Sequence, residues 1–299
     1  MIVRGARVAP KTTLSLRGRR KLGAAPFLKW AGGKGQLLAQ ILARMPREIV
    51  GTYVEPFLGG GAVFFELARS GRIKRARLSD RNPELVGTYE AVRDELPAVI
   101  RALGAHRNDE AHYYEVRALD PGTLSIAERA ARMIFLNRVG YNGLYRVNSQ
   151  GLFNVPFGRY RNPKICDVEG LTHASKALQI ADIAVADFAE TCAGVGVGDV
   201  VYLDPPYVPM SKTSNFTSYS GRFDEAEHRR LAATFAELVE RGAFVLLSNS
   251  DTKLSRSLYT GYKIATVEAT RAINSKVDKR GVVREVLVQG LRVRPRNVA

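Results

Sequence analysis

The chain has 299 residues, 45% hydrophobic and 25% charged, a balance that suits one large domain or a core domain with an insertion. No stretch approaches the roughly 18 uninterrupted apolar residues of a membrane span. Two cysteines, Cys166 and Cys192, and four scattered histidines give no disulfide framework and no metal-ligand spacing. No metal and no membrane are therefore expected, and the thiols read as inert in a reducing cytoplasm.

In chain order, residues 1–24 form a basic arm, read as disordered and as a source of nonspecific DNA affinity, although an organellar transit peptide has a similar composition. Phe27 to Gly35 reads Phe-Leu-Lys-Trp-Ala-Gly-Gly-Lys-Gly, a glycine-rich turn opening a helix over Gln36 to Arg44 that stops at Pro46. A strand over Tyr53 to Phe57, a Gly59-Gly60-Gly61 turn and a helix over Ala62 to Arg69 follow. A second strand, Arg75 to Leu78, leads into Ser79-Asp80, and Pro83 starts the next helix at its first turn.

From Leu85 to Ala131 the apolar spacing is helical, and Met133 to Leu136 close that stretch. Asn142-Gly143 and Gln150-Gly151 are turn signals flanking a hairpin or loop. Strand patterns resume at Ile180 to Val185, Asp199 to Leu203, Phe244 to Leu247, Lys263 to Val267 and Arg284 to Val288, with a helix over Glu225 to Glu240 among them. Strand-helix alternation interrupted by helices predicts an α/β core, residues 25–84 and 166–299, with an insertion over 85–165.

The net charge of +16 is unevenly placed. Residues 1–47 hold eleven Lys or Arg and no acid, and residues 138–164 hold five more, again with no acid. These two segments account for the whole excess. The second also carries Tyr141, Tyr145, Phe153, Phe157 and Tyr160. Basic side chains interleaved with aromatics are what phosphate contact plus base contact require, so the expected partner is nucleic acid.

Asp204-Pro205-Pro206-Tyr207 ends the apolar run Val200 to Leu203. A carboxylate there, beside two residues without a backbone N–H, makes a compact acceptor site. Asp204 and the Pro205 carbonyl can both accept from one planar amino group, and Tyr207 supplies an aromatic face, the needs of a site for a nucleobase amine. An ordinary strand-ending turn has the same sequence. Gly59 and Gly61 lie between strand and helix, with Asp80 at the next strand end, as in a nucleoside-cofactor pocket. That spacing alone does not separate NAD from S-adenosylmethionine, although Phe64 stands where a dinucleotide fingerprint has its third glycine.

Gly32-Gly33-Lys34-Gly35 fails the P-loop pattern, because Gly35 stands where Ser or Thr would hold magnesium. Trp30 and Lys34 instead suit a cofactor with a carboxylate, the tryptophan shaping the pocket and the lysine pairing with the acid; a core anchor is the alternative for Trp30. Glu55 reads equally as an exposed strand residue or a cofactor contact. Asp187-Phe188, a carboxylate and aromatic after a strand, reads equally as a turn or an adenine contact.

With these residues in hand, the chain resembles the Dam-type DNA adenine N6-methyltransferases (α group, D12 class) from about Ala25 to Leu291. The resemblance is carried by Phe27-Leu-Lys-Trp-Ala-Gly-Gly-Lys34, Val54-Glu-Pro-Phe-Leu-Gly-Gly-Gly61, Leu78-Ser-Asp-Arg-Asn82 and Leu136-Asn-Arg-Val-Gly-Tyr-Asn-Gly-Leu144. Phe153-Asn-Val-Pro-Phe-Gly-Arg-Tyr160, Asp204-Pro-Pro-Tyr207, Asn215-Phe-Thr217 and Ser248-Asn-Ser-Asp-Thr252 complete it, and their order fits the α group. It departs at the first 24 residues, at Tyr145 and 147–152, and after Thr270.

The resemblance implies a Rossmann-like, seven-stranded S-adenosylmethionine-dependent methyltransferase sheet with a mostly helical target-recognition insertion carrying a hairpin. It implies Trp30, Lys34, Phe57, Gly59, Asp80 and Asp204 at the cofactor, to which the strand-end reading adds Asp187, and Asp204, Pro205 and Tyr207 in catalysis on a flipped adenine. Double-stranded DNA is the implied partner, with GATC the implied site and a cognate restriction endonuclease a further partner. Lys29 and Arg146 match guanine readers, Leu144 and Pro156 match contacts to a thymine methyl, Tyr141 and Asn142 match the duplex insertion, and Arg159 and Tyr160 suit phosphates. A cytosine-N4 methyltransferase and a DNA-binding homologue without catalysis are the alternatives.

Overall fold

The computed structural model describes residues 23–30, 32–209, 223–270 and 282–292. The basic arm as far as residue 22, the 215–217 motif and the tail from 271 to 281 therefore lie outside the described residues. Seven strands form one sheet: β1 (Tyr53–Glu55), β2 (Ala76–Asp80), β3 (Ala181–Val185), β4 (Val200–Leu203), β5 (Phe244–Ser250), β6 (Tyr262–Thr270) and β7 (Val282–Arg292). Their order is β3-β2-β1-β4-β5-β7-β6. The first five are parallel, and β7 runs antiparallel between β5 and β6. β1 and β4 are buried along their whole length, as parallel strands covered on both faces must be.

The helices are α1 (Leu38–Leu42), α2 (Ala62–Arg69), α3 (Pro83–Asp94), α4 (Leu96–Gly104), α5 (Glu110–Ala118), α6 (Ile126–Val139), α7 (Val168–Leu178), α8 (Phe188–Thr191), α9 (Glu225–Glu240) and α10 (Lys253–Leu258). Local chemistry sets their starts. Asn82 caps α3 by accepting from the Glu84 and Leu85 amides, with Pro83 at the first position. A reciprocal Ser125–Glu128 capping box opens α6. The expected Gln36 to Arg44 helix contracts to α1. The long helical stretch divides where Pro97 starts α4, Asp109 caps α5 and Ser125 caps α6.

The expected hairpin forms around Gln150-Gly151 without regular strands: the Asn148 amide donates to the Leu152 carbonyl at 2.9 Å and the Asn154 amide to the Arg146 carbonyl at 3.0 Å. Residues 140–158 make only two isolated antiparallel bridges, Gly140 to Phe157 and Val147 to Phe153. Tyr141–Gly143 is a tight helical turn with Asn142 at φ 55°, and a ladder cannot pass through it.

One apolar cluster covers one side of the sheet and runs on through the helices: Phe65, Leu78 and Tyr89 share it with Tyr113 and Phe135. A second packs Val54, Val201, Val245 and Val286 against Phe188 and Phe235. Strand order reverses between β1 and β4, which opens a crevice at their carboxyl ends. Among the described residues, no helix is long and apolar enough to cross a membrane.

Candidate active site

Asp204 stands immediately after β4, at that crevice. Lys34 Nζ lies 2.7 Å from its Oδ2, and the lysine is only 7% exposed. The same ammonium donates to the Gly32 carbonyl at 2.7 Å and sits 4.7 Å from the centre of the Tyr207 ring. Ser248 Oγ donates to the other carboxylate oxygen at 2.8 Å and contacts the Tyr202 hydroxyl at 3.0 Å. Both oxygens are thus aimed, one by a cation and one by a hydroxyl. Pro205 is buried, and the half-buried Tyr207 donates its hydroxyl to Glu285 at 2.7 Å. The Asn249 side chain accepts from the Val208 amide at 3.0 Å and so fixes the loop beyond the tetrapeptide.

The glycine turn lies beside this group. Gly59 adopts φ +46°, and a Cβ there would stand 2.9 Å from Trp30 Cδ1, so both backbone and packing require glycine. The Gly59 amide donates to Asp80 Oδ2 at 3.1 Å, and the Asn82 amide donates to Oδ1 at 3.0 Å. Burial raises the Asp80 pKa, opposed by those amides. Behind the turn, Glu55 is buried and accepts from the Tyr53 hydroxyl at 2.8 Å. Burial above all pushes its pKa up to about 8, with Asp204 adding to the rise and Tyr53, Phe64 and Lys34 opposing it. Of its two sequence readings, the exposed strand residue is excluded.

Phe57 is half-buried and stacks on Phe188 at 5.6 Å between centroids, with Phe223 edge-on at 5.8 Å. Asp187 caps α8 by accepting from the Ala189 amide, and it pairs with Arg81 and with Arg230. These partners, led by Arg230, hold its pKa well below the usual carboxylate range. Asp187 thus belongs to an ion-pair group with Arg81, Arg230 and Glu227 at the end of β3, with β2 and β1 lying between that strand and β4, which carries Asp204 at its end.

The segment after α6 is tied to the first loop by the Asn137 side chain and by ring stacking. Asn137, near the end of α6 and 1% exposed, accepts from the Lys29 amide at 2.8 Å and donates to the carbonyls of Lys29 at 2.7 Å and Gly143 at 2.9 Å. Trp30 stacks on Tyr145 at 5.3 Å, which joins the same two loops a second time. Lys29 is exposed, with its ammonium 4.8 Å from the Tyr160 ring centre. Burial and then Arg138 lower its pKa.

Arg146 is exposed and donates to the Asn154 side chain at 2.7 Å, Tyr141, Asn142 and Pro156 are exposed, and Leu144 is half-buried. Arg159, at φ 54°, lies 3.6 Å from Glu110. A cavity of ≈ 250 Å³ opens between Lys29, Arg138, Tyr160, Arg161, Asn162, Pro163 and Lys164. The Arg138 Nε there is buried and has no hydrogen-bond partner. Among the described residues, no three His, Cys, Asp or Glu side chains come together as a metal site would require.

Reading the sequence for roles misses Ser248, Asn249, Glu285, Asn137, Arg81 and Arg230. Ser248 follows Leu247, which pairs with Leu203 in the β4–β5 register, so strand-end logic finds it only once that neighbour is known. Glu285 lies in the expected Arg284 to Val288 strand, but its antiparallel register opposite Ser250 is set by the sheet and not by any local pattern.

The D12 class N6 adenine-specific DNA methyltransferase family matches residues 30–273. Type II methyltransferase M1.LlaDCHI of Lactococcus lactis subsp. cremoris is 41% identical over 284 residues, covering 92% of this chain and 98% of that protein. Type II methyltransferase M.MjaIII of Methanocaldococcus jannaschii is 42% identical, covering 85% and 94%. The DNA adenine methylase of Escherichia coli K12 is 40% identical, covering 87% and 93%.

Proposed function

This chain belongs to the D12 class of N6 adenine-specific DNA methyltransferases, and from that premise we propose that it methylates adenine in GATC, in duplex DNA of the cytoplasm, on a base turned out of the helix. The observation that carries the reading is the aimed Asp204 carboxylate, held between Lys34 and Ser248 at the carboxyl end of β4.

The residues present fit S-adenosylmethionine. The Cβ-free Gly59 lets Trp30 pack directly on the turn and wall the pocket, and Asp80 at the end of β2 lies beside it as an acceptor for ribose hydroxyls. Lys34 offers a cation to an amino-acid carboxylate, Phe57 and Gly59 line the space, and Asp187 supplies an acceptor for a purine amine. When bound, this group supplies an electrophilic methyl on a sulfonium.

Asp204 and the Pro205 carbonyl accept from the two hydrogens of the adenine N6 amine, and Tyr207 stacks on the ring. The amine lone pair is normally delocalised into the base. Two acceptors that hold the amine out of the ring plane restore that lone pair, a gain of positioning and electrostatics rather than of covalent chemistry. Turning the base out costs a few kcal/mol, and Tyr141 and Asn142 fill the place it leaves. In this reading residues 85–165 are the target-recognition insertion, with Lys29 and Arg146 on guanines, Leu144 and Pro156 on a thymine methyl, and Arg159 and Tyr160 on phosphates. Two relatives carry Type II methyltransferase names; a restriction endonuclease acting on the same site is the further partner this reading admits.

The test is to express the chain in a host lacking DNA methylation and sequence its DNA for modified bases. N6-methyladenine confined to GATC is the expected result. A different adenine motif would remove the specificity assignment, and N4-methylcytosine would remove the reading of the target amine.

A further inference from the structure

Asp187 accepts more hydrogen bonds than a helix cap needs. Its Oδ1 accepts from the Ala189 amide at 2.9 Å and from Arg230 Nη1 at 2.7 Å. Its Oδ2 accepts from Arg230 Nη2 at 2.7 Å and from the Arg81 guanidinium. A carboxylate offers about four lone-pair positions, and these partners take them all. An incoming amine can therefore bond to Asp187 only by replacing one of them.

The partners are not equally fixed. Arg230 grips Asp187 fork to fork, places its guanidinium carbon 3.9 Å from the Phe188 ring centre, and has a second hold on Glu227 at 2.8 Å. Arg81 is about as exposed as Arg230 but reaches Asp187 through one nitrogen only. The same nitrogen stands 3.4 Å from Glu227 Oε2, so a second anion is already beside it. Arg81 also directly follows Asp80, at the mouth of the nucleoside pocket.

We propose that Arg81 is a displaceable plug on the Asp187 carboxylate: it shifts to Glu227 when a purine amine binds to Asp187, while Arg230 holds the carboxylate in place. The proposal rests on Asp187 as the contact for the purine of the methyl donor. Hydrogen bonds are exchanged and no proton is transferred. Removing the plug must tighten donor binding, and removing the holder must weaken it. Two arginines on one carboxylate thus give effects of opposite sign, which a merely structural role would not.

The full-length chain is titrated with S-adenosylmethionine by calorimetry, and the donor KM is measured, for wild type, Arg81→Met, Arg230→Met, Arg230→Lys and Asp187→Asn, with melting curves on each. Arg81→Met should bind the donor about three- to fivefold more tightly, the worth of a partly exposed ion pair, with the change carried by KM. Arg230→Met should bind roughly tenfold more weakly, and Arg230→Lys, lacking the fork, should recover only part of this. Arg81→Met sits at an exposed position and keeps the test decisive if Arg230→Met folds poorly. Unchanged or weaker binding by Arg81→Met, with Asp187→Asn impaired, overturns the plug alone. Unchanged binding by Asp187→Asn overturns the reading of the pocket, and the plug with it.

Discussion

Glu55 is a carboxyl group almost wholly buried, near enough to Lys34 and Asp204 to feel both charges. Its folded-state pKa of about 8 lies above the ordinary value of 4.5, so the native state holds a proton that the unfolded chain releases. Its contribution to stability is therefore fully present below pH 4.5, declines as pH rises, and is gone above about 8. The size is at most a few kcal/mol, because a tenfold change in proton affinity corresponds to about 1.4 kcal/mol. Glu55→Gln keeps an oxygen for the Tyr53 hydroxyl and cannot ionise. It should raise the melting temperature at pH 8.5 and change it little at pH 5; an equal effect at both would contradict the assignment. The position itself was legible as a carboxylate at a strand end, but its burial was not, because that depends on Tyr53, Phe64 and the sheet packed around it.

At the scale of elements, α6 does more than fill the helical segment. Its end delivers Asn137, whose side chain fastens the loop carrying Lys29, Trp30 and Lys34 to the turn at Gly143. The Lys34 loop and the segment after α6 therefore share a fixed point. Asn137→Ala would leave the Lys29 amide and two carbonyls without partners, at a cost of roughly 2–3 kcal/mol. Denaturant unfolding should show that loss, and a change below about 0.5 kcal/mol would mean that the two loops are held independently.

Local signals predicted the elements well where they were strong: the Ala62–Arg69 helix and the Pro83 start appear as expected, because capping and periodicity act over a few residues. The 138–164 window was legible as basic and aromatic but not as a shape. Of its two turn signals, Gln150-Gly151 closes a short hairpin in which 146–148 meets 152–154, while Asn142-Gly143 makes a separate tight turn beside the Trp30–Tyr145 stack.

For the whole molecule, the sheet order brings together what the sequence keeps far apart. Lys34 precedes β1, Asp204 follows β4 and Ser248 lies in β5, and only neighbouring strands make them one site. The carboxylate and the lysine were each legible from separate motifs, but their contact follows from the crossover between β1 and β4. The most direct measurement is transfer of labelled methyl from S-adenosylmethionine to a GATC duplex by wild type and Asp204→Ala, with duplex affinity measured in parallel. Transfer should fall by at least roughly a hundredfold while duplex affinity stays within a few-fold. Transfer that survives the substitution, or that disappears together with duplex binding, would contradict the central role of this carboxylate.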